Sequence, residues 1–169
     1  MAKKAAPVDA ITLLKADHKK VRGLLTSLEK ASERSADRRT KLLQQIEAEI
    51  HVHSTIEEEI FYPAFRDAVK KKDDRVLYQE ALEEHHVVDL VMPEVKASDP
   101  AGDVFAAKAK VLKELIEHHA DEEEKEMFKT ARKVLDKDEL RELGSRMQAR
   151  KKQLKAAGSP RLGQTVFRS

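Results

Sequence analysis

A chain of 169 residues is long enough to bury one core, and it sets the expectation of a single domain. Charged residues make up 38% of it and aromatics 4%, with only five glycines and five prolines, a balance that favours long helices over sheet. The absence of cysteine excludes disulfides, thiolate chemistry and iron–sulfur clusters, so any metal must be held by nitrogen and oxygen, a donor set suited to iron, manganese or zinc.

The apolar periodicity predicts four long helices and an additional C-terminal one. The first starts at Asp9 as N-cap and runs to about Ala31. Its stripe is Ile11, Leu14, His18, Val21, Leu25 and Leu28, spaced alternately three and four, with a histidine in a core slot. The second runs from near Ser35 to Tyr62 on the stripe Leu43, Ile46, Ile50, His53, Glu57, Ile60 and Ala64, and Pro63 is expected to kink or end it. A charged turn at Lys70 to Asp74 precedes the third helix, about Arg75 to Lys96, with Tyr78, Leu82, His85, Val88, Met92 and Val95 on one face. Pro93 implies a kink or early stop there. Asp99-Pro100 resembles a helix start, with Asp as cap and Pro at the first position. The fourth helix then extends to about Leu135 through Phe105, Ala109, Leu112, Ile116, His119, Glu123 and Met127. A last helix, capped by Asp136 or Asp138, reaches about Ala157, where Gly158-Ser159-Pro160 stops it and leaves a frayed end.

Short links between long helices imply antiparallel neighbours. The expected fold is all-α: an up-down four-helix bundle over residues 9–135, an additional C-terminal helix at 136–157 and a short basic tail at 158–169. The order "lone histidine helix, then His/Glu helix" occurs twice, a weak internal duplication.

The histidines decide the function class. His53 and Glu57, and again His119 and Glu123, stand four residues apart and share a helix face. His18 and His85 interrupt the other two stripes. His86 has Asp89 and Pro93 on its face, and His51 follows Glu47, so both should point outward. His118 follows Val111 and Leu115 and has Glu122 four residues on; His119 is preferred because Met127 continues its apolar face. Any one of these residues alone would read as a satisfied core histidine or a solvated pair. Four stripes each broken by a histidine near mid-helix, two of them followed by glutamate, instead read as a metal site inside a bundle. Six ligands exceed the usual four of one zinc and suit a pair of cations bridged by glutamates, which points to iron or manganese.

The order His18, His53-x3-Glu57, His85, His119-x3-Glu123 resembles that of the hemerythrin-like HHE cation-binding domains. Supporting stretches are Ala16-Asp17-His18-Lys19-Lys20-Val21, Glu57-Glu58-Glu59-Ile60-Phe61-Tyr62-Pro63 and Glu83-Glu84-His85-His86. The likeness spans about Ile11 to Lys133. It implies a four-helix bundle holding two non-haem irons (manganese or zinc being the alternatives) on His18, His53, Glu57, His85, His119 and Glu123. It also implies a small ligand such as dioxygen, hydrogen peroxide or nitric oxide. Asp89 stands where oxygen-carrying hemerythrins place a further histidine, and His-x3-Glu replaces their His-x4-Asp, which disfavours reversible oxygen carriage.

The expectation is therefore a cytoplasmic di-iron protein that handles or senses oxygen-derived species, with catalase- or peroxidase-like turnover as its enzymatic version. The alternatives are an iron-binding or sensor protein without turnover and a metal-free helical interaction module. Tyr62 and Tyr78 are candidates for nearby redox or hydrogen-bonding groups, with core packing the favoured role for both. No apolar run follows the N-terminal lysines, and no segment is apolar enough to span a membrane. Net charge is +2, but Lys129 to Ser169 holds 12 Lys and Arg against 4 Asp and Glu. With aromatic stacking groups nearly absent, that end is read as a solvated helix and tail rather than a nucleic-acid surface.

Overall fold

The computed structural model describes residues 8–158. Seven helical segments are α1 (Ala10–Lys30), α2 (Ala36–Ile56), α3 (Tyr62–Ala68), α4 (Lys72–Ala97), α5 (Asp103–Glu122), α6 (Phe128–Val134) and α7 (Lys137–Ala157). Two π-helical turns, Glu57–Phe61 and Glu123–Met127, join α2 to α3 and α5 to α6. The segments thus make five rods, and there is no strand among the described residues. α1 packs on α2 and α5, and α4 packs on α2 and α5, which closes a four-rod bundle. α7 lies outside it, against α1, α2 and the first π turn.

The helix ends follow local chemistry. Asp9 caps α1 by accepting from the Thr12 backbone N–H at 3.0 Å, an interaction worth about 1 kcal/mol. Asp136 caps α7 in a capping box with Glu139. α4 begins earlier than the stripe suggests, at Lys72, with Asp73 and Asp74 in its first turn where the helix dipole favours anions. Asp99-Pro100 is not a helix start. Asp99 instead closes a turn, accepting from Gly102 N–H on its carbonyl and from Ala101 N–H on its side chain, and α5 starts at Asp103 with Gly102 as its cap. Neither internal proline ends its rod. Pro93 lies inside α4, which continues to Ala97. Pro63 falls at the start of α3, directly after the π turn, where a missing N–H costs least. At the chain end, Gly158 caps α7 with φ 76°, while Ser159, Pro160 and the rest of the tail lie outside the described residues.

Two apolar clusters fill the interior and share no residue. One holds Val21, Leu25, Leu28, Leu43, Ile46, Ile50, Val88, Met92, Val95, Phe105 and Leu112. The other gathers around Ile11, Leu14, Phe61, Tyr62, Phe65 and Phe128 and takes in Leu140, Leu143 and Met147 of α7. Between them runs a layer of buried polar groups: His18, His53, Glu57, His85, His119 and Glu123.

α7 approaches closely because Gly144 has no side chain. A Cβ there would stand 2.1 Å from the Val8 carbonyl oxygen and 2.9 Å from Ala10 N. Gly144→Ala should therefore lose stability despite alanine's better helix propensity, since backbone must move, at about 1–3 kcal/mol. Chemical denaturation of wild type and variant checks this; an unchanged or raised midpoint contradicts the close docking.

Candidate metal centre

Each of the four bundle rods contributes to the polar layer at the same height. All four imidazoles aim Nε2 at its centre. His18 Nε2 lies 3.1 Å from His53 Nε2 and 3.2 Å from Glu123 Oε2. His85 Nε2 lies 3.1 Å from His119 Nε2 and 3.3 Å from Glu57 Oε2. The glutamates stand between the pairs: Glu57 Oε1 is 3.2 Å from His53 Nε2, and Glu123 Oε2 is 3.7 Å from His119 Nε2. The six residues divide into two overlapping ligand groups. His18, His53, Glu57 and Glu123 form one, and Glu57, His85 and His119 form the other.

The donor set fits a cation. Glu57 Oε1 and Glu123 Oε2 are buried and accept no hydrogen bond. Buried carboxylate oxygens left that way are costly, and two facing Nε2 atoms cannot both be lone-pair acceptors without a shared proton or cation. A bound cation meets both demands.

Sequence reasoning missed an outer ring of carboxylates. His18 Nδ1 meets Glu124 at 2.9 Å, His85 Nδ1 meets Glu58 at 2.7 Å, and His119 Nδ1 meets Glu84 at 2.6 Å. His53 Nδ1 faces Asp17 at 3.5 Å, too long for a good hydrogen bond. The ring is cyclic: α1 serves α2, the first π turn serves α4, α4 serves α5, and the second π turn serves α1. Such partners fix the tautomer that leaves Nε2 free and raise imidazole basicity. A signal was present, since Asp17 and Glu84 each precede a lone histidine and Glu58 and Glu124 each follow a stripe glutamate.

Tyr62 takes the hydrogen-bonding role, the less favoured of its two readings. It is fully buried, but its hydroxyl donates to Glu123 Oε1 at 2.8 Å and lies 3.3 Å from His85 Nε2 and 3.5 Å from Glu57 Oε2. Its ring stacks on His85, and Tyr78 packs edge-on against it. In an α-helix, five residues turn the chain by about 500°, which would send Tyr62 away from the face of Glu57. The π turn removes that offset by pairing i with i+5, seen in Tyr62 N–H donating to the Glu57 carbonyl. His86 and His118 are exposed, and His51 is part-buried outside the layer. His118 sits between Glu84 and Glu122 at 3.4 Å from each.

The layer holds protons when no cation is bound. Burial and the neighbouring Glu123 carboxylate push Glu57 well above the usual carboxylate range. For Glu123 burial acts in the same upward direction, but His119 and His18 outweigh it and hold the group ionised. Burial likewise pulls His18 and His119 down, and Glu123 overcomes it, so both end above 6.5. His53 goes the other way, to about 4, through burial and the adjacent His18 cation.

The description "Hemerythrin HHE cation binding domain" matches residues 9–131, and the chain belongs to that family. Among solved structures, it is similar to the Hemerythrin HHE cation binding domain-containing homolog of Rv2633c from Mycobacterium kansasii. That likeness has TM-score 0.77 and 28% identity, and it covers 89% of both chains. The protein Rv2633c of Mycobacterium tuberculosis is 30% identical over 154 residues, covering 90% of each chain. A protein named DNA nickase from Nostoc sp. is 24% identical over 142 residues; the match covers 84% of this chain but only 39% of that protein. No helix among the described residues is long and apolar enough to cross a membrane.

Two outcomes follow. His53→Ala or His119→Ala should lower bound metal sharply, while His51→Ala and His86→Ala should not, as read by metal analysis after dialysis; the opposite pattern would displace the site. Cation uptake near neutral pH should release protons from Glu57, His18 and His119, because each sits above its ordinary value. Affinity should therefore keep rising with pH beyond 6.5, the ordinary histidine value, through the raised values of His18 and His119. Calorimetry in buffers of different ionisation enthalpy counts the protons; zero release at neutral pH contradicts this charge state.

Proposed function

We propose that this chain is a di-iron protein that reacts with a small oxidant, hydrogen peroxide foremost. The single observation behind this reading is the pair of ligand groups sharing Glu57 and Glu123. His18 and His53 would hold one iron, His85 and His119 the other, and the glutamates would lie between them. Iron supplies reversible one-electron chemistry and an open position for the ligand. A cavity of about 30 Å³ borders the imidazoles and is walled by Val21, Ile50, Val88, Ile116 and Ala120. That is room for a water or a diatomic molecule, with Arg22 and Ser54 as the polar groups on its wall besides the imidazoles.

Tyr62 favours peroxide reduction over reversible oxygen carriage. Tyr62 does not border that cavity, but a buried phenol donating to Glu123 and touching His85 can hold or supply a proton at the glutamate as the charge of the layer changes, a role worth roughly 10²–10⁴-fold in rate. Burial and the Glu123 and Glu57 carboxylates push its pKa well above the usual value, so it stays protonated in the metal-free layer.

Iron-loaded protein should hold about two irons per chain and show a near-ultraviolet band when oxidised. One zinc and no iron after iron loading would end the di-iron reading. Tyr62→Phe should keep both irons while the reaction with peroxide slows at least about tenfold, a conservative share of that range. Stopped-flow absorption reads the rate, and an unchanged rate would return Tyr62 to packing alone.

A further inference from the structure

The two halves of the ligand layer are near-copies in sequence. His53, Glu57, Glu58 and Tyr62 lie 66 residues before His119, Glu123, Glu124 and Phe128, and Asp17, His18 and Arg22 lie 67 before Glu84, His85 and Asp89. The copies differ in what stands behind the imidazoles. On the His18/His53 side both outer carboxylates carry a cation. Arg22 donates to Glu124 at 2.9 Å, and Lys151 of α7 donates to Asp17, with both lysine and aspartate largely buried.

On the His85/His119 side neither outer carboxylate carries such a permanent cation, and the basic groups facing them are histidines. Among the described residues, no lysine or arginine pairs with Glu58 or Glu84. The position equivalent to Arg22 is Asp89, which lies close enough to Glu58 to repel it. Glu84 in turn faces Glu122. Lys151 has no counterpart, because α7 occurs once. The same half also receives the one polar departure in the stacked rings: Tyr62 covers His85, whereas Phe128 covers His18.

An outer carboxylate strengthens an imidazole ligand through its Nδ1–H, and a cation bound to that carboxylate draws the charge away again. The half whose outer carboxylates meet no lysine or arginine, only His118 at 3.4 Å from Glu84, therefore has the more negative surroundings. We propose that the two metal positions are built unequal, with His85/His119 taking the first divalent cation and His18/His53 the second. Arg22 and Lys151 are the positioning residues that set this order. The proposal rests on the metal-binding reading above.

The test is a zinc titration of metal-free full-length protein carrying ¹⁵N-labelled histidine, followed by NMR of the imidazoles. Up to one equivalent, the His85 and His119 signals should move while those of His18 and His53 stay. The second equivalent should bind at least about tenfold more weakly, the low end of outer-partner effects on metal affinity. Early movement of His18 and His53, or parallel movement of all four, overturns the proposal. Arg22→Gln with Lys151→Met should narrow the gap between the two steps, while Arg22→Lys with Lys151→Arg should preserve it. A gap untouched by the first pair overturns the assigned cause. If a variant misfolds by circular dichroism, the wild-type loading order still decides. Absence of any zinc binding would instead refute the metal-binding reading, so the two failures are distinct.

Discussion

Burying four imidazoles and two carboxylates in one layer costs several kcal/mol for each ion left without a partner. The rest of the structure is arranged to meet that cost. The layer sits between two separate apolar clusters, so each rod is anchored on both sides of its polar residue. A rod held in that way cannot rotate its histidine out to water without pulling several large side chains with it. Truncating a single buried leucine or phenylalanine costs about 2–5 kcal/mol, so the combined hold exceeds the preference of one imidazole for solvent. Rigid apolar packing thus holds the six polar side chains converged.

The two π turns place a second set of groups into that layer. Each starts at the stripe glutamate, Glu57 or Glu123, and each inserts one extra residue per turn. The wider turn lets adjacent residues share work that an α-helix would divide between opposite faces. Glu57 points inward while Glu58 reaches across to His85, and Tyr62 comes back over the same site. Repetition of the device after Glu123, with Glu124 reaching His18 and Phe128 covering it, ties the turns to the ligand layer rather than to a local accident of packing.

The stripes of the four long helices were legible because a 3.6-residue period is simple arithmetic, and a histidine in such a stripe stands out against leucine. His18, His53, His85 and His119 occupy the core slots the pattern assigned, as do Glu57 and Glu123. What the period could not show is where it changes. Ile60, Phe61 and Tyr62 are all buried in succession, which no single α-helical face allows, and a 3.6-residue period read onward does not bring Tyr62 to the face of Glu57. Asp99-Pro100 carried a good helix-start signal, but Asp99 satisfies its local hydrogen bonds in a turn and Gly102 takes the cap. The outer carboxylates were hidden for another reason: their partners lie on the neighbouring rod, and only the near-repeat of Asp17-His18 and Glu84-His85 hinted at a common role.

α7 shows how an element beyond residues 9–131 joins the centre. Its apolar residues Leu140, Leu143 and Met147 enlarge one cluster, and Gly144 lets its backbone reach the start of α1. The basic residues that composition marked as a solvated face are partly used for docking: Arg150 grips Glu59 with two hydrogen bonds, Lys155 lies 3.6 Å from Glu49, and Lys151 reaches Asp17. The first two pairs are exposed enough that each adds little stability. Lys151 differs, because it touches a carboxylate that faces a ligand histidine. A bundle made of two near-copies would by itself put equal charge behind its two histidine pairs. The single added helix, through Lys151 at Asp17, together with the opposite charges of Arg22 and Asp89, makes those surroundings unequal.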